Sequence, residues 1–204
     1  MNDSPGRAGK PPPRREKTMK NKSGRNAVTQ LKATKLIKSF VEGMKLETLD
    51  DLIALKVKMR SVLNTIPYEE SIVPQIRKIM WRRTAHQILE DGYIYSRDSC
   101  TDIVILFMAL CKSLGRETRF VKVRKHNGDP EMHSIAEIRL PKPYGWYIFD
   151  LAYDNPPEKG RMTPGSVYRG WELWRKGRDS WDLGLWKYRD RHKIFARPSS
   201  ASGK

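Results

Sequence analysis

The stretch from Ile103 to Cys111 is apolar without a break, and it limits what this chain can fold into more than any other segment. It is too long and too uniform for a strand that alternates between core and solvent. It is also too short to span a bilayer as a helix, which takes about 20 residues. A helix that is apolar on every side is a buried helix. Ser99 followed three residues later by Asp102 reads as an Asp form of the capping box, and Gly115 supplies a stop. Cys100 therefore becomes the first residue of a buried helix. The unpaired N–H groups and the dipole at that end favour an anion and can turn a thiol into a nucleophile. Asp102 works against this, because a carboxylate one turn along disfavours a thiolate. A cysteine taken alone is more often a small core residue than a catalyst.

The downstream sequence gives Cys100 its interest. His133–Leu140 has the pattern of a strand, 141–145 that of a turn, and Trp146–Leu151 that of a second strand. If the chain folds back around Pro141-Lys142, His133 and Asp150 come opposite each other on antiparallel neighbours. Opposed side chains have Cβ atoms about 5 Å apart, within reach for a carboxylate to hold an imidazole. Nucleophile, base and orienting acid then lie in one chain as Cys100, His133 and Asp150. His126 competes as the base, but it precedes a turn-rich loop, whereas His133 opens a strand.

Three segments carry a family resemblance: Ser99-Cys100-Thr101-Asp102 with Ala109–Gly115, then Thr118-Arg119-Phe120-Val121, then His133–Glu137 with Gly145–Asp150. In order and spacing they resemble the transglutaminase-like superfamily of papain-type folds over roughly residues 68–155. Departures are Asp98-Ser99 where the family usually has a glycine, Ile135 where it has an aromatic, and Leu151-Ala152 after the aspartate. The resemblance implies an α+β fold, a papain-like transglutaminase core. In it a buried helix carrying the cysteine packs on an antiparallel sheet carrying the histidine and aspartate. It implies acyl transfer or hydrolysis at amide bonds through a thioester, by a peptidase, amidase or transglutaminase acting on a protein or peptide amide. Some members have lost the triad and bind nucleic acid, so a basic binding module with a vestigial triad is the alternative.

Charge bears on that alternative. Forty Lys and Arg against 23 Asp and Glu give +17, which favours an acidic partner or nucleic acid. The first 38 residues hold eleven of the basic residues. The expected organisation is a disordered basic arm over 1–27, a helical extension over 28–66, a catalytic domain over 67–196 and a disordered tail over 197–204. Within it, helices are predicted over 28–41, after Thr48, and from Pro74 to Gly92. Trp171 and Trp174 are taken to share a helical face. Cys100 and Cys111 on one helix stand about 16 Å apart, too far for a disulfide, and a reducing, cytoplasmic setting is expected. The cysteine and histidine spacing fits no zinc site, and no phosphate-binding or dinucleotide-binding loop is present, so no metal or cofactor is expected.

Overall fold

The computed structural model describes residues 28–196; the predicted basic arm and tail lie outside the described residues. In chain order the elements are α1 (Lys35–Phe40), α2 (Leu49–Ser61), β1 (Asn64–Ile66), α3 (Val73–Ile79), α4 (Ala85–Asp91) and β2 (Tyr93–Tyr95). They continue with α5 (Cys100–Ser113), β3 (Glu117–Lys125), β4 (Met132–Leu140), β5 (Gly145–Phe149), β6 (Glu158–Lys159), β7 (Val167–Tyr168), β8 (Trp171–Gly177) and α6 (His192–Phe195). The fold is α+β. Six antiparallel strands form a curled sheet in the order β6-β5-β4-β3-β8-β7, and β1 and β2 pair in parallel apart from it.

The helix predicted from the apolar run is α5, and every side chain from Thr101 to Cys111 is buried. β3 and β4 lie against one side of it, and α1 and α4 against another. Strand alternation divides the sheet's residues between two cores. Phe120, Ala136, Ile138 and Leu140 join the core around α5. Val121, Val123, Ile135 and Ile148 join Met162, Tyr168 and Trp171 in a smaller core on the other face.

Local signals explain most element ends. Thr48 caps α2 in a complete box with Asp51, Pro74 sits in the first turn of α3, and Gly92 ends α4 in the left-handed region. Other expectations need correcting. The helix predicted over 28–41 is confined to Lys35–Phe40, because the residues before it bond elsewhere: Thr29 and Gln30 bond Asp179, and Ser180 donates to Gln30. The helix predicted from Pro74 to Gly92 breaks between Ile79 and Ala85. Trp81 takes φ 62° in the gap, and Thr84 starts α4 with its own capping box to Gln87. Trp171 and Trp174 lie on a strand, so they face opposite sides, Trp171 in the smaller core and Trp174 against the larger.

The capping box expected at α5 is also absent. Ser99 makes no cap bond and instead donates to the Tyr95 carbonyl. Asp102 turns away from the helix start to a buried ion pair with Arg83, 2.6 Å from Nη2. Arg83 also reaches Asp91 at 3.0 Å and the Tyr93 carbonyl. One guanidinium thus ties α5, α4 and β2 together.

Replacing Arg83 by leucine would strand the Asp102 carboxylate inside the protein. Chemical denaturation of Arg83→Leu is expected to show a loss of about 3–5 kcal/mol of unfolding free energy. A loss within the ordinary surface range of about 0.5 kcal/mol would show that the pair does not anchor α5.

Candidate active site

Cys100 is the first residue of α5 and is half-buried. The chain approaches it through β2 and a bend in which Asp98 has φ 61°. A cleft of about 700 Å³ opens beside the thiol, and Tyr95, His133, Tyr153 and Trp171 contribute to its wall.

His133 and Asp150 do meet, with Nε2 and Oδ1 2.9 Å apart and both side chains buried. They meet in a different register from the predicted one. Leu140 pairs with Gly145 and Ala136 with Phe149, so the ladder, continued, would set Ile135 opposite Asp150. His133 lies two residues further along the same face, a diagonal neighbour still within side-chain reach. The turn takes in residues 141–144, two more than Pro141-Lys142 suggested, both on its C-terminal side. Asp150 stands just past the end of β5, where its carboxylate also accepts the Ala152 N–H. His133 lies between two aromatic rings, Trp171 at 5.3 Å and Tyr153 at 5.5 Å between centroids. Trp171 is almost fully covered and packs against the buried His133 ring. His126, the competing base, is exposed and bonds Glu172. Glu137 shares the strand face of His133, but it is committed to Arg161, Lys176 and the Met162 N–H.

Beneath Cys100 lies a buried polar cluster centred on Ser134, which faces α5 from β4. The Ser134 hydroxyl is 3.7 Å from the Cys100 sulfur and 2.9 Å from Thr101 Oγ1, and it accepts from Lys122 Nζ at 3.0 Å. Trp81 donates its indole N–H to Thr101 at 3.1 Å, so that N–H is not free for a ligand. Lys122 is 1% exposed and lies over the Trp81 ring. Among the described residues it forms no ion pair with a carboxylate.

These neighbours set the charge states. Burial raises the Cys100 thiol, but the Lys122 charge, the imidazole of His133 and the Ser134 hydroxyl outweigh it and bring the thiol from 9.0 down to about 6. Burial alone would lower His133, yet the bond to Asp150 and the sulfur of Cys100 lift it from 6.5 to about 9. Burial lowers Lys122, and Cys100 and Asp98 oppose that. Burial raises Asp102, while Arg83 holds it down. The cation at Asp102 offsets the objection that this carboxylate would repel a thiolate. Cys111, eleven residues along the same helix, meets only apolar surroundings, and burial pushes its thiol up. The two shifts run in opposite directions, and both favour a thiolate at Cys100 beside an imidazolium at His133.

Lys122 was not legible in the sequence as a site residue. In Val121-Lys122-Val123-Arg124 the alternation reads as an apolar face and a solvent face. The structure turns Lys122 inward under α5 instead.

A family model described as the transglutaminase-like superfamily matches residues 41–151, just over half of the chain. Among solved structures, a chain from Cytophaga hutchinsonii described as a candidate cysteine protease is similar, with 20% identity and a TM-score of 0.50. The match covers 76% of this chain and 46% of that one, so this chain spans less than half the length of that neighbour. At that identity the likeness concerns the fold. No curated protein sequence matches.

Lys122→Met removes the buried cation and keeps the shape of the stem. The thiolate absorbance of Cys100 is expected to titrate higher than about 6, toward the 9.0 of an unperturbed thiol. An unmoved titration would mean that His133 sets the thiol without Lys122.

Proposed function

Because the chain belongs to the transglutaminase-like superfamily, we propose that it is a cysteine-dependent enzyme that transfers or hydrolyses acyl groups at amide bonds, with Cys100, His133 and Asp150 as its triad. The observation that carries this reading is the placement of Cys100 at the start of α5 above Ser134 and Lys122, with the buried His133–Asp150 bond of 2.9 Å in the same cleft, an arrangement that draws the thiol down and the imidazole up. A structural core cysteine would behave like Cys111.

The steps follow from the charges. The thiolate of Cys100 attacks the amide carbonyl carbon, and the carbonyl π electrons move to oxygen. The backbone N–H of Cys100, at the open start of α5, is a donor for that oxyanion. Asp150 accepts from Nε2 of His133, which leaves Nδ1 to serve the sulfur and the leaving group. Protonated His133 gives its proton to the amide nitrogen as the carbon–nitrogen bond breaks, leaving a thioester on Cys100. A second nucleophile then resolves the thioester and returns a proton to His133. Water gives a peptidase or amidase outcome, and a lysine amine gives a transglutaminase outcome. The triad serves both, so the reaction class proposed is acyl transfer from an amide, with a protein or peptide as the donor.

The sign of the pH dependence follows from the same two groups. Below about 6 the thiolate is lost, and above about 9 the imidazolium is lost, so activity rises through the first value and falls through the second. Stability carries the same window. The folded state's hold on the thiolate is present above the unfolded thiol's 9.0 and is lost as pH falls through about 6. Its hold on the imidazolium is present below the unfolded 6.5 and is lost as pH rises through about 9.

Iodoacetamide labelling across pH, read by peptide mass spectrometry with Cys111 as internal control, tests this directly. Cys100 is expected to label well below an ordinary thiol's range, His133→Ala to shift that labelling to higher pH, and Cys111 to stay inert. Cys100→Ala should abolish amide turnover. An ordinary thiol profile at Cys100 that ignores His133 would overturn the reading and favour a binding module with a vestigial triad.

A further inference from the structure

Three guanidinium groups line the cleft beside Cys100: Arg60 from the C-terminal end of α2, Arg97 from the bend before α5, and Arg191 just before α6. Among the described residues none of them forms an ion pair with an aspartate or glutamate. Most of the other charged groups of the cleft and its floor are already engaged. Glu131 lines the cleft but pairs with Lys125 at 3.7 Å. Asp98 also lines it, and its field acts on Lys122 below the thiol.

Arg97 and Arg191 are each held against an aromatic ring. Arg97 lies over the Tyr68 ring at 4.6 Å from its centroid. Arg191 lies over the Tyr188 ring at 5.5 Å and donates one N–H to that tyrosine's hydroxyl at 2.7 Å. A guanidinium stacked on an aromatic face keeps its in-plane donors available for a carboxylate. Arg60 is more telling still. Its Nη1 is shielded from water and has no hydrogen-bond partner. Arg60 thus lines the cleft with a guanidinium that no carboxylate of the described residues engages.

We propose that this cleft takes an acidic peptide segment as acyl donor, with Arg60 receiving a side-chain carboxylate of the substrate in a two-pronged bond and Arg97 and Arg191 extending the positive wall. The proposal names the substrate class of the amide chemistry assigned to Cys100 and rests on that reading for what happens to the bound segment. A carboxylate suits the site better than a run of phosphates. The flat, forked donor set matches a single carboxylate, and Asp98 interrupts the positive wall that a continuous polyanion would follow.

Binding to the full-length Cys100→Ala protein tests this without any turnover. The probes are two fluorescein-labelled peptides with blocked ends, each with a central glutamine, one flanked by glutamates and the other by glutamines. Fluorescence anisotropy at physiological salt is expected to show the acidic peptide binding about tenfold more tightly. That preference is expected to vanish in an added Arg60→Gln change and to be reduced in Arg60→Lys, which keeps the charge without the fork. Arg139→Gln makes the same charge change at an exposed site away from the cleft and is expected to leave the preference intact. If Arg60→Gln does not fold by circular dichroism, Arg191→Gln takes its place, with a smaller loss expected.

Equal binding of the two peptides would overturn the proposal, as would an equal loss in Arg139→Gln, which would mean attraction to net charge alone. A single-stranded DNA oligonucleotide that binds more tightly than the acidic peptide with the same dependence on Arg60 would also overturn it. Failure here leaves the thiolate of Cys100 standing, whereas an ordinary labelling profile at Cys100 would remove the acyl-transfer reading and leave a carboxylate-binding cleft in place.

Discussion

A helix with no polar side must be covered on every side, and α5 places that demand on the whole chain. The sheet covers part of it through β3 and β4, and α1 and α4 cover another part. Burial on that scale leaves the two polar residues near its start, Thr101 and Asp102, without water. Each therefore needs a partner from outside the helix, Trp81 and Ser134 for the first and Arg83 for the second. These partners come from the break between α3 and α4 and from β4, so the helix start fixes the neighbouring elements as firmly as its apolar body does.

The chemistry at Cys100 follows from the same burial. Removing a thiol from water favours its neutral form, the direction in which burial pushes Cys111 at the other end of the helix. Cys100 has the opposite character because cationic and hydrogen-bonding groups surround it: Lys122 below, His133 beside, and the Ser134 hydroxyl between. In a poorly solvated site a nearby charge acts with less screening than in water. A lysine buried without a carboxylate is costly unless some other anion meets it, and the sulfur is the anion within this cluster. Lys122 and Cys100 thus each favour the charged form of the other.

Residues close in sequence carried most of what could be read beforehand. The limits of α5, the caps at Thr48 and Gly92, the strand bearing His133 and the strand that ends just before Asp150 depend on neighbours a few positions away, and the chain spells these out. The box at Ser99 and Asp102 failed for the converse reason. Its local bond competes with Arg83, nineteen positions earlier in the chain, and the buried ion pair prevails. The break at Trp81 had a legible signal in Thr84 and Gln87, but the apolar spacing across it read as one continuous helix. At the C-terminal side, a three-residue interval between tryptophans suits a helix face; pairing with β3 made a strand instead and turned Trp171 onto His133.

The sequence by itself determined that a buried helix would begin at Cys100 and that a hairpin would carry His133 and Asp150, because hydrophobic period and turn chemistry are written locally. Only the tertiary structure decided the hairpin's register, the inward turn of Lys122, the aromatic rings against His133 and the arginines without carboxylate partners along the cleft. Each of these depends on which distant segment comes to lie against which. Burial then alters the electrostatics of the groups it encloses, and no residue carries that information in its own neighbourhood of the chain.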